Sequence, residues 1–92
     1  MDLENRVTFA DTVFAQEVDG EMVLLDMNSE NYFGLDEVGT AIWQFMQESG
    51  ELKVVFQHML ESYDVEESIL QKDLITFVEK LKERKLIEVI EN

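Results

Sequence analysis

The sequence predicts an α+β domain in which a three-stranded antiparallel meander, within residues 5–35, precedes three helices. Two observations support this prediction. Near residue 35 the spacing of apolar residues changes from every second position, as in a strand, to every third or fourth, as in a helix. The predicted sheet is also too small to close on itself, so helices must cover one of its faces. We expect residues 1–92 to form a single domain, because this length suffices for one small core.

The strands of the meander are marked by two turns. Asp19–Gly20 is a strong hairpin signal, because both central residues of a type I′ turn need positive φ. The segment EMVLLDM follows as a strand, and Asp26 marks one of its faces as solvated, so Val23, Leu25 and Met27 are predicted to face the core. The residues NSE form the second turn, and NYFGL is the third strand of the meander.

The helices have recognisable ends. Asp36 is placed as an N-cap of the first helix, where its carboxylate can accept a hydrogen bond from a free N–H group, and Gly50 ends that helix. Asp64 and Glu67 have the spacing of a capping box before the third helix. The second and third helices are predicted at about 51–63 and 66–84. The final LIEVI is predicted as a short extended segment.

Each helix has an apolar stripe that predicts its buried face. The stripes consist of Val38, Ala41, Ile42, Phe45 and Met46; of Leu52, Val55, Phe56, Met59 and Leu60; and of Leu70, Leu74, Phe77 and Leu81. Trp43 lies off the first stripe, near its edge. Two short helices followed by a longer one, after a small sheet, also suit a winged helix-turn-helix arrangement.

The composition argues against several classes of protein. The net charge is −14, from 21 acidic and 7 basic residues, and such a field repels nucleic acid and anionic membranes. Five of the seven basic residues lie within 72–92, so an anionic partner is tolerated best near the last helix. The chain lacks cysteine, has no signal-peptide pattern and has no apolar run long enough for a membrane span. These features predict a cytoplasmic protein.

A calcium loop is one interpretation of residues 26–37. Asp26, Asn28 and Glu30 alternate, and Glu37 stands where the twelfth ligand belongs. Asn31, however, occupies the position that requires glycine, and the preceding segment is predicted as a strand rather than a helix. A turn followed by a helix cap is the favoured interpretation, and no metal or cofactor is predicted.

No catalytic group emerges from the sequence. His58 is the single histidine and has no cysteine near it to complete a transition-metal site. The four serines fall at turns or helix ends, where capping accounts for them. The protein is therefore predicted not to be an enzyme.

A groove beside the third strand of the meander is the strongest functional feature. Asn31–Gly34 contains no charge or proline to protect a sheet edge. On a helical wheel Ile75 falls off the core stripe of the third helix, with Val78 between them, so Ile75 should be partly exposed. An extended peptide could add a strand here and place alternate side chains in the groove. Alternatively, Ile75 packs on another element or on a second copy of the chain.

Two longer segments carry a resemblance to a known family. They are DGEMVLLDMNSENYFGLDEVGTAIWQFM and LESYDVEESILQKDLITFVEKLKERKLIEV. Their order and spacing resemble the PqqD family of pyrroloquinoline-quinone (PQQ) biosynthesis, which includes the recognition elements of lasso-peptide and other modified-peptide pathways. The likeness covers roughly residues 5–90. The family commonly has asparagine where this chain has Asp36, and glycine where it has Lys85.

The resemblance implies a non-enzymatic adaptor that binds the leader segment of a ribosomally made precursor peptide. It also implies a winged-helix domain that presents this peptide to a tailoring enzyme, such as a radical-SAM protein or a leader peptidase. The leader docks as an extra strand on the third strand, against the third helix. Carried onto this chain, the peptide-binding residues are Asn31, Tyr32, Phe33 and Gly34, with Gln71, Ile75, Val78 and Lys82 opposite.

Two alternatives remain open at this stage. In one, the chain is a structural or regulatory homodimer that pairs through the edge of the third strand. In the other, it is a DNA-binding winged helix, which the acidic charge disfavours. The expected oligomeric state is a monomer or a weak homodimer.

Overall fold

A computed structural model describes residues 1–91 of the chain. The strands are β1 (Arg6–Phe9), β2 (Val13–Val18), β3 (Glu21–Asp26), β4 (Asn31–Gly34) and β5 (Ile87–Ile90). The helices are α1 (Glu37–Glu48), α2 (Leu52–Ser62) and α3 (Glu67–Glu83). Strands β2, β3 and β4 form one antiparallel sheet in that order, while β1 pairs antiparallel with β5. The predicted α+β class, a meander followed by three helices, is confirmed.

The segment before the Asp19–Gly20 turn, predicted to be the first strand of the meander, forms two separate strands, β1 and β2. Residues 5–12 were assigned to the meander, but β1 leaves it and pairs with β5, with Arg6 opposite Ile90. A tight turn at residues 10–13, in which the Val13 N–H donates to the Ala10 carbonyl at 3.2 Å, separates β1 from β2. The prediction was wrong here because a two-stranded pairing between distant segments leaves no local signal.

The buried face of β3 is the opposite of the predicted one. Val23 and Leu25 are only half-buried, and Met27 is 53% exposed. The side chains of β3 that face the core are Met22, Leu24 and Asp26. The register error follows directly from treating an aspartate as a marker of the solvated face, because side chains alternate strictly along a strand.

The buried carboxylate of Asp26 accepts two hydrogen bonds. Its Oδ1 accepts a hydrogen bond from the Asn28 N–H at 3.1 Å, and its Oδ2 accepts one from the Ser29 hydroxyl at 3.0 Å. These two hydrogen bonds offset part of the cost of burying a carboxylate. Asp26 therefore organises the β3–β4 turn from the inner side of the sheet.

Other turn and cap predictions have mixed outcomes. Asp19 and Gly20 have φ values of 52° and 84°, as a type I′ turn requires. Asp36 caps α1, because its Oδ1 accepts a hydrogen bond from the Gly39 N–H at 2.8 Å. The capping box at Asp64 is wrong: the N-cap of α3 is Glu66, whose side chain makes no capping bond.

The core lies between the inner face of the meander, the three helices and the β1–β5 pair. It consists of Val7, Met22, Leu24, Ile42, Trp43, Met46, Leu52, Val55, Met59, Leu70, Leu74, Val78, Leu81, Leu86 and Ile87. Most of the predicted stripe residues are buried or packed against it, but Val38 is 45% exposed. Trp43 is only 2% exposed rather than at the edge, and its ring centroid lies 4.5 Å from that of Phe9.

Gly50 joins the helical half of the molecule to β1. Its carbonyl accepts a hydrogen bond from the Val7 N–H at 2.8 Å, and a Cβ at position 50 would overlap the Val7 carbonyl oxygen. Glycine is therefore needed here for close backbone approach. The helix itself ends at Glu48, and its C-cap is Ser49 rather than Gly50. Within residues 1–91 no helix combines the length and apolar character that crossing a membrane requires.

Candidate functional site

Strand β4 forms one edge of the meander. It pairs with β3 through four opposed residue pairs, and no other strand within residues 1–91 lies on its second side. Its four residues carry neither charge nor proline, the usual protections of an exposed edge. An unprotected edge of this kind is a template for another extended chain.

The free backbone groups on this edge can be assigned to particular residues. The Leu35 N–H donates to the Met22 carbonyl at 2.9 Å, so it points towards β3. In an antiparallel ladder, alternate residues bond to a given neighbour. The N–H and C=O groups of Tyr32 and Gly34 therefore point away from β3. Two residues offer two donors and two acceptors to an added strand.

A groove of about 320 Å³ runs beside this edge, between β4 and the C-terminal half of α3. We call it the β4–α3 groove. It is lined by Tyr32, Phe33, Gly34, Leu35, Phe77, Lys80, Leu81, Arg84 and Leu86. Six of these side chains are aromatic or aliphatic, two are cationic and none is a carboxylate. Such a groove suits an apolar side chain that projects from a strand added to β4.

Phe33 and Arg84 form one side of the groove. The guanidinium carbon of Arg84 lies 4.8 Å from the centroid of the Phe33 ring, within the range of a cation–π contact. Phe33 is itself half-buried and packs against the core. The ring therefore holds the guanidinium close to the edge of β4.

The four residues predicted on the strand lie where the sequence placed them. Asn31, Tyr32, Phe33 and Gly34 make up β4 itself. Tyr32 is 71% exposed on the outer face of the sheet, while Phe33 faces inwards. Peptide binding by these residues stays a prediction, and the open edge is consistent with it.

Three of the four predicted helix residues lie elsewhere. The flank of α3 that lines the groove, the β4 flank, consists of Phe77, Lys80 and Arg84. Gln71 and Ile75 line a shallow depression with Ser68, Lys72, Thr76 and Glu79. Gln71, Ile75 and Lys82, which we call the far flank, are displaced from Leu81 around the helix in the opposite direction to Lys80 and Arg84. The structure does not bring the far flank to β4.

Val78 is also placed differently from its prediction as a groove residue. Its side chain is fully buried in the core, so it has no surface to offer a peptide. Ile75 is half-buried and packs against the core, which agrees with its predicted partial exposure. A wheel measures the angle from a chosen core residue, and it does not reveal how deeply the helix is embedded.

Sequence reasoning missed the groove residues of the β4 flank for a definable reason. Phe77 was assigned to the core stripe, and cations such as Lys80 and Arg84 are common near a helix C-terminus because they complement the helix dipole. The wheel gives two flanks beside any apolar stripe, and nothing in the pattern says which one lies beside the sheet edge. The crowding of cations near the end of α3, in an acidic chain, was the available signal.

The remaining candidate groups make no comparable site. The 26–31 turn is flanked by strands β3 and β4, where the calcium motif requires helices. His58 is half-buried, with its ring centroid 5.1 Å from that of Phe45. No group of three metal-binding side chains converges in the described part of the chain.

Comparison with known proteins agrees with this geometry. The family model for coenzyme PQQ synthesis protein D (PqqD) matches residues 21–87. The structure of TbiB1 in complex with the TbiA(beta) leader peptide has a TM-score of 0.84 and 31% identity, covering 88% of this chain and 94% of that one. A lasso peptide synthetase B1 complexed with the leader peptide has a TM-score of 0.75 and 25% identity, covering 90% and 98%.

None of the curated proteins compared matches the chain. The family match nevertheless spans β3 to the first residue of β5, and therefore includes β4, all three helices and the β4–α3 groove between them. The resemblance inferred from the sequence is thus confirmed over most of its length. The chain belongs to the PqqD family.

Proposed function

We propose that this protein binds the leader segment of a ribosomally synthesised precursor peptide and presents it to a modifying enzyme. The leader adds to β4 as a fourth strand of the meander, and its apolar side chains enter the β4–α3 groove. The protein acts as a non-catalytic adaptor. The tailoring enzyme is a radical-SAM protein or a leader peptidase, and the complex assembles in the cytoplasm.

The open edge of β4 beside the groove is the observation that carries this proposal. Tyr32 and Gly34 direct two donors and two acceptors away from β3, and the groove begins at the same residues. Backbone bonding to an edge gives affinity, while side-chain pockets give specificity. The similar proteins TbiB1 and lasso peptide synthetase B1 have each been solved with a leader peptide, which supports the same class of ligand here.

The expected affinity is moderate. Each backbone hydrogen bond contributes about 0.5–1.5 kcal/mol net. Ordering an extended peptide and immobilising it opposes this gain. One or two apolar anchors in the groove supply the remainder, as a few buried residues do in most interfaces. An adaptor that also contacts the enzyme needs no higher affinity, because tethering raises the effective concentration of the leader.

Selection from a displayed library of random short peptides, followed by NMR with the selected peptide, tests the proposal. We expect amide shifts at residues 31–35 and 77–86, and slowed hydrogen exchange at the Tyr32 and Gly34 amides, because both gain acceptors. Failure to select any peptide, or shifts that avoid β4, would contradict it.

Two substitutions at Gly34 separate strand addition from other modes of binding. Gly34→Pro removes a donor on the open edge, where proline is tolerated in edge strands, and should reduce affinity about tenfold or more. Gly34→Ala is the control, because a Cβ at this position meets nothing within 4 Å. Circular dichroism checks that both variants fold.

Sedimentation velocity separates the leader from a second copy of the chain as the occupant of the edge. We expect a monomer across the concentration range, with and without the selected peptide. A dimer that the peptide dissociates would assign the edge to self-pairing and would reduce the peptide to a competitor.

A further inference from the structure

The β4–α3 groove differs in charge from the rest of the molecule. The chain carries 21 acidic and 7 basic residues, yet the groove is lined by two cations, Lys80 and Arg84, and by no carboxylate. A surface site in so acidic a chain would ordinarily include acidic side chains. The groove therefore combines an apolar floor with a local positive charge.

Arg84 is unengaged by any carboxylate of the protein. It makes no ion pair and no side-chain hydrogen bond within residues 1–91, and its guanidinium lies over the Phe33 ring. The N–H donors of its guanidinium are therefore not engaged by any side chain of residues 1–91. A planar fork with free donors is suited to binding a carboxylate through two parallel hydrogen bonds.

Lys80 reinforces this site from one helical turn earlier. Residues four apart lie on the same side of a helix, so the ammonium of Lys80 and the guanidinium of Arg84 face the same groove. Lys80 also makes no ion pair within the described residues. The negative charge of the whole chain repels an acidic ligand at long range, but screening confines that repulsion to about 8 Å at physiological salt.

A second recess restricts where an acidic side chain can lie. Beyond Arg84, towards the 26–31 turn, a recess of about 470 Å³ includes the carboxylates of Asp26 and Glu83 beside Arg84 and Lys85. A ligand carboxylate there would meet like charges. The groove between Arg84 and Lys80 is lined without any carboxylate. Asp36 and Asp73 lie on the other side of Lys80, in a separate recess that Lys80 also lines, so the favourable position for a ligand carboxylate is between the two cations.

We propose that the leader carries an acidic residue next to its apolar anchor, and that Arg84, together with Lys80, binds this carboxylate. The inference rests on the proposed function and adds a class of ligand to it: an extended peptide with an aromatic or aliphatic side chain for the groove and an aspartate or glutamate beside it. Arg84 and Lys80 are specificity determinants of the β4–α3 groove.

Parallel selections from the random-peptide library test this inference. The first uses the unmodified protein, the second Lys80→Glu/Arg84→Glu, and the third Lys72→Glu/Lys82→Glu. The third is a matched control, because it makes the same change in net charge on exposed positions of α3 that do not line the groove. Circular dichroism establishes folding, and Lys80→Gln/Arg84→Gln replaces the second protein if that one is unfolded.

The unmodified protein should select peptides with aspartate or glutamate beside an apolar residue. The Lys80→Glu/Arg84→Glu protein should instead select peptides with lysine or arginine at that position. If the Lys80→Gln/Arg84→Gln protein is used in its place, the acidic preference should disappear. The Lys72→Glu/Lys82→Glu control should keep the acidic preference. In a selected peptide, changing the acidic residue to its amide should weaken binding to the unmodified protein about tenfold.

The two proposals fail in different ways. The charge inference would be overturned if the selected peptides bind at β4 but show no acidic preference. It would also be overturned if the Lys72→Glu/Lys82→Glu control changes the preference as much as the Lys80→Glu/Arg84→Glu variant does. Either result would leave the proposed function intact. Selection of no peptide at all would overturn the proposed function and the inference with it.

Discussion

The two flanks of α3 are similar in composition and differ in what lies beside them. Each has a half-buried apolar residue, Phe77 on the β4 flank and Ile75 on the far flank, and each has at least one lysine. The β4 flank adjoins the open edge of β4 and lines a groove with it, whereas Gln71 and Ile75 of the far flank line a separate depression made by α3 alone. A helix flank therefore becomes a candidate peptide site through the backbone donors and acceptors next to it, and its own side chains then determine which peptide fits.

Substitution of Val78 should have the largest effect on stability, because this residue is buried in the core beside the far flank. Val78→Asp places a carboxylate in the core with no partner, and we expect a loss of about 4 kcal/mol or more, enough to unfold a small domain. Chemical denaturation followed by circular dichroism measures it. Lys82→Asp, at an exposed position in the last turn of α3, should cost only about 1 kcal/mol, because it exchanges a favourable charge at the helix C-terminus for an unfavourable one. A stably folded Val78→Asp variant would contradict the burial of Val78 and indicate that its side chain lies at the surface of α3.

Phe77 and Ile75 provide a matched pair of truncations. Phe77→Ala and Ile75→Ala each remove a half-buried side chain that packs on the core, and each should cost about 1–3 kcal/mol of stability. The selected peptide should bind the Phe77→Ala variant about tenfold more weakly, because the groove loses part of its floor.

Binding to the Ile75→Ala variant should equal that of the unmodified protein once corrected for the folded fraction. Calorimetric titration at a temperature where both variants are folded makes the comparison. Equal losses of affinity would mean that the peptide reaches the far flank, as the sequence alone predicted.

A substitution at Lys85 tests the backbone conformation of the turn that follows α3. Its φ is 61°, in the left-handed region that favours glycine, and the family commonly has glycine there. Lys85→Gly should raise the free energy of unfolding by about 0.5–1 kcal/mol and leave peptide affinity unchanged. Thermal denaturation measures the first quantity. Lower stability would indicate that the lysine side chain contributes a contact that outweighs its backbone strain.

Of these substitutions, Arg84→Lys is expected to have the smallest effect, a modest loss of peptide affinity. The charge remains, but the guanidinium over the Phe33 ring and its two-donor geometry are lost. Affinity for an acidic selected peptide should fall about threefold, whereas Lys82→Arg on the far flank should change nothing. An unchanged affinity for Arg84→Lys would reduce the role of Arg84 to charge alone.

Local chemistry explains which parts of the fold were predictable. The Asp19–Gly20 turn and the Asp36 cap depend on residues a few positions apart, and both were predicted correctly. Asp26 was assigned to the wrong face, because its burial depends on two hydrogen bonds with the turn that follows. The pairing of β1 with β5 depends on segments about 80 residues apart, which periodicity does not report.

The candidate site divides in the same way. The strand side was predictable, because an uncharged strand at the end of a meander is recognisable as an open edge. The helix side was not, because the choice between the flanks depends on the angle at which α3 crosses the sheet. The sequence contained a clue in Lys80 and Arg84, but a helix terminus attracts cations for structural reasons as well.

The pairing of β1 with β5 has a consequence for how the chain folds. The meander and the helices form from neighbouring segments, but β1 must wait until the chain has been made as far as Ile90 before its partner exists. Closing so long a loop is slow relative to local contacts. During synthesis the apolar side chain of Val7, which is buried in the folded protein, therefore remains without its final cover until β5 has been made.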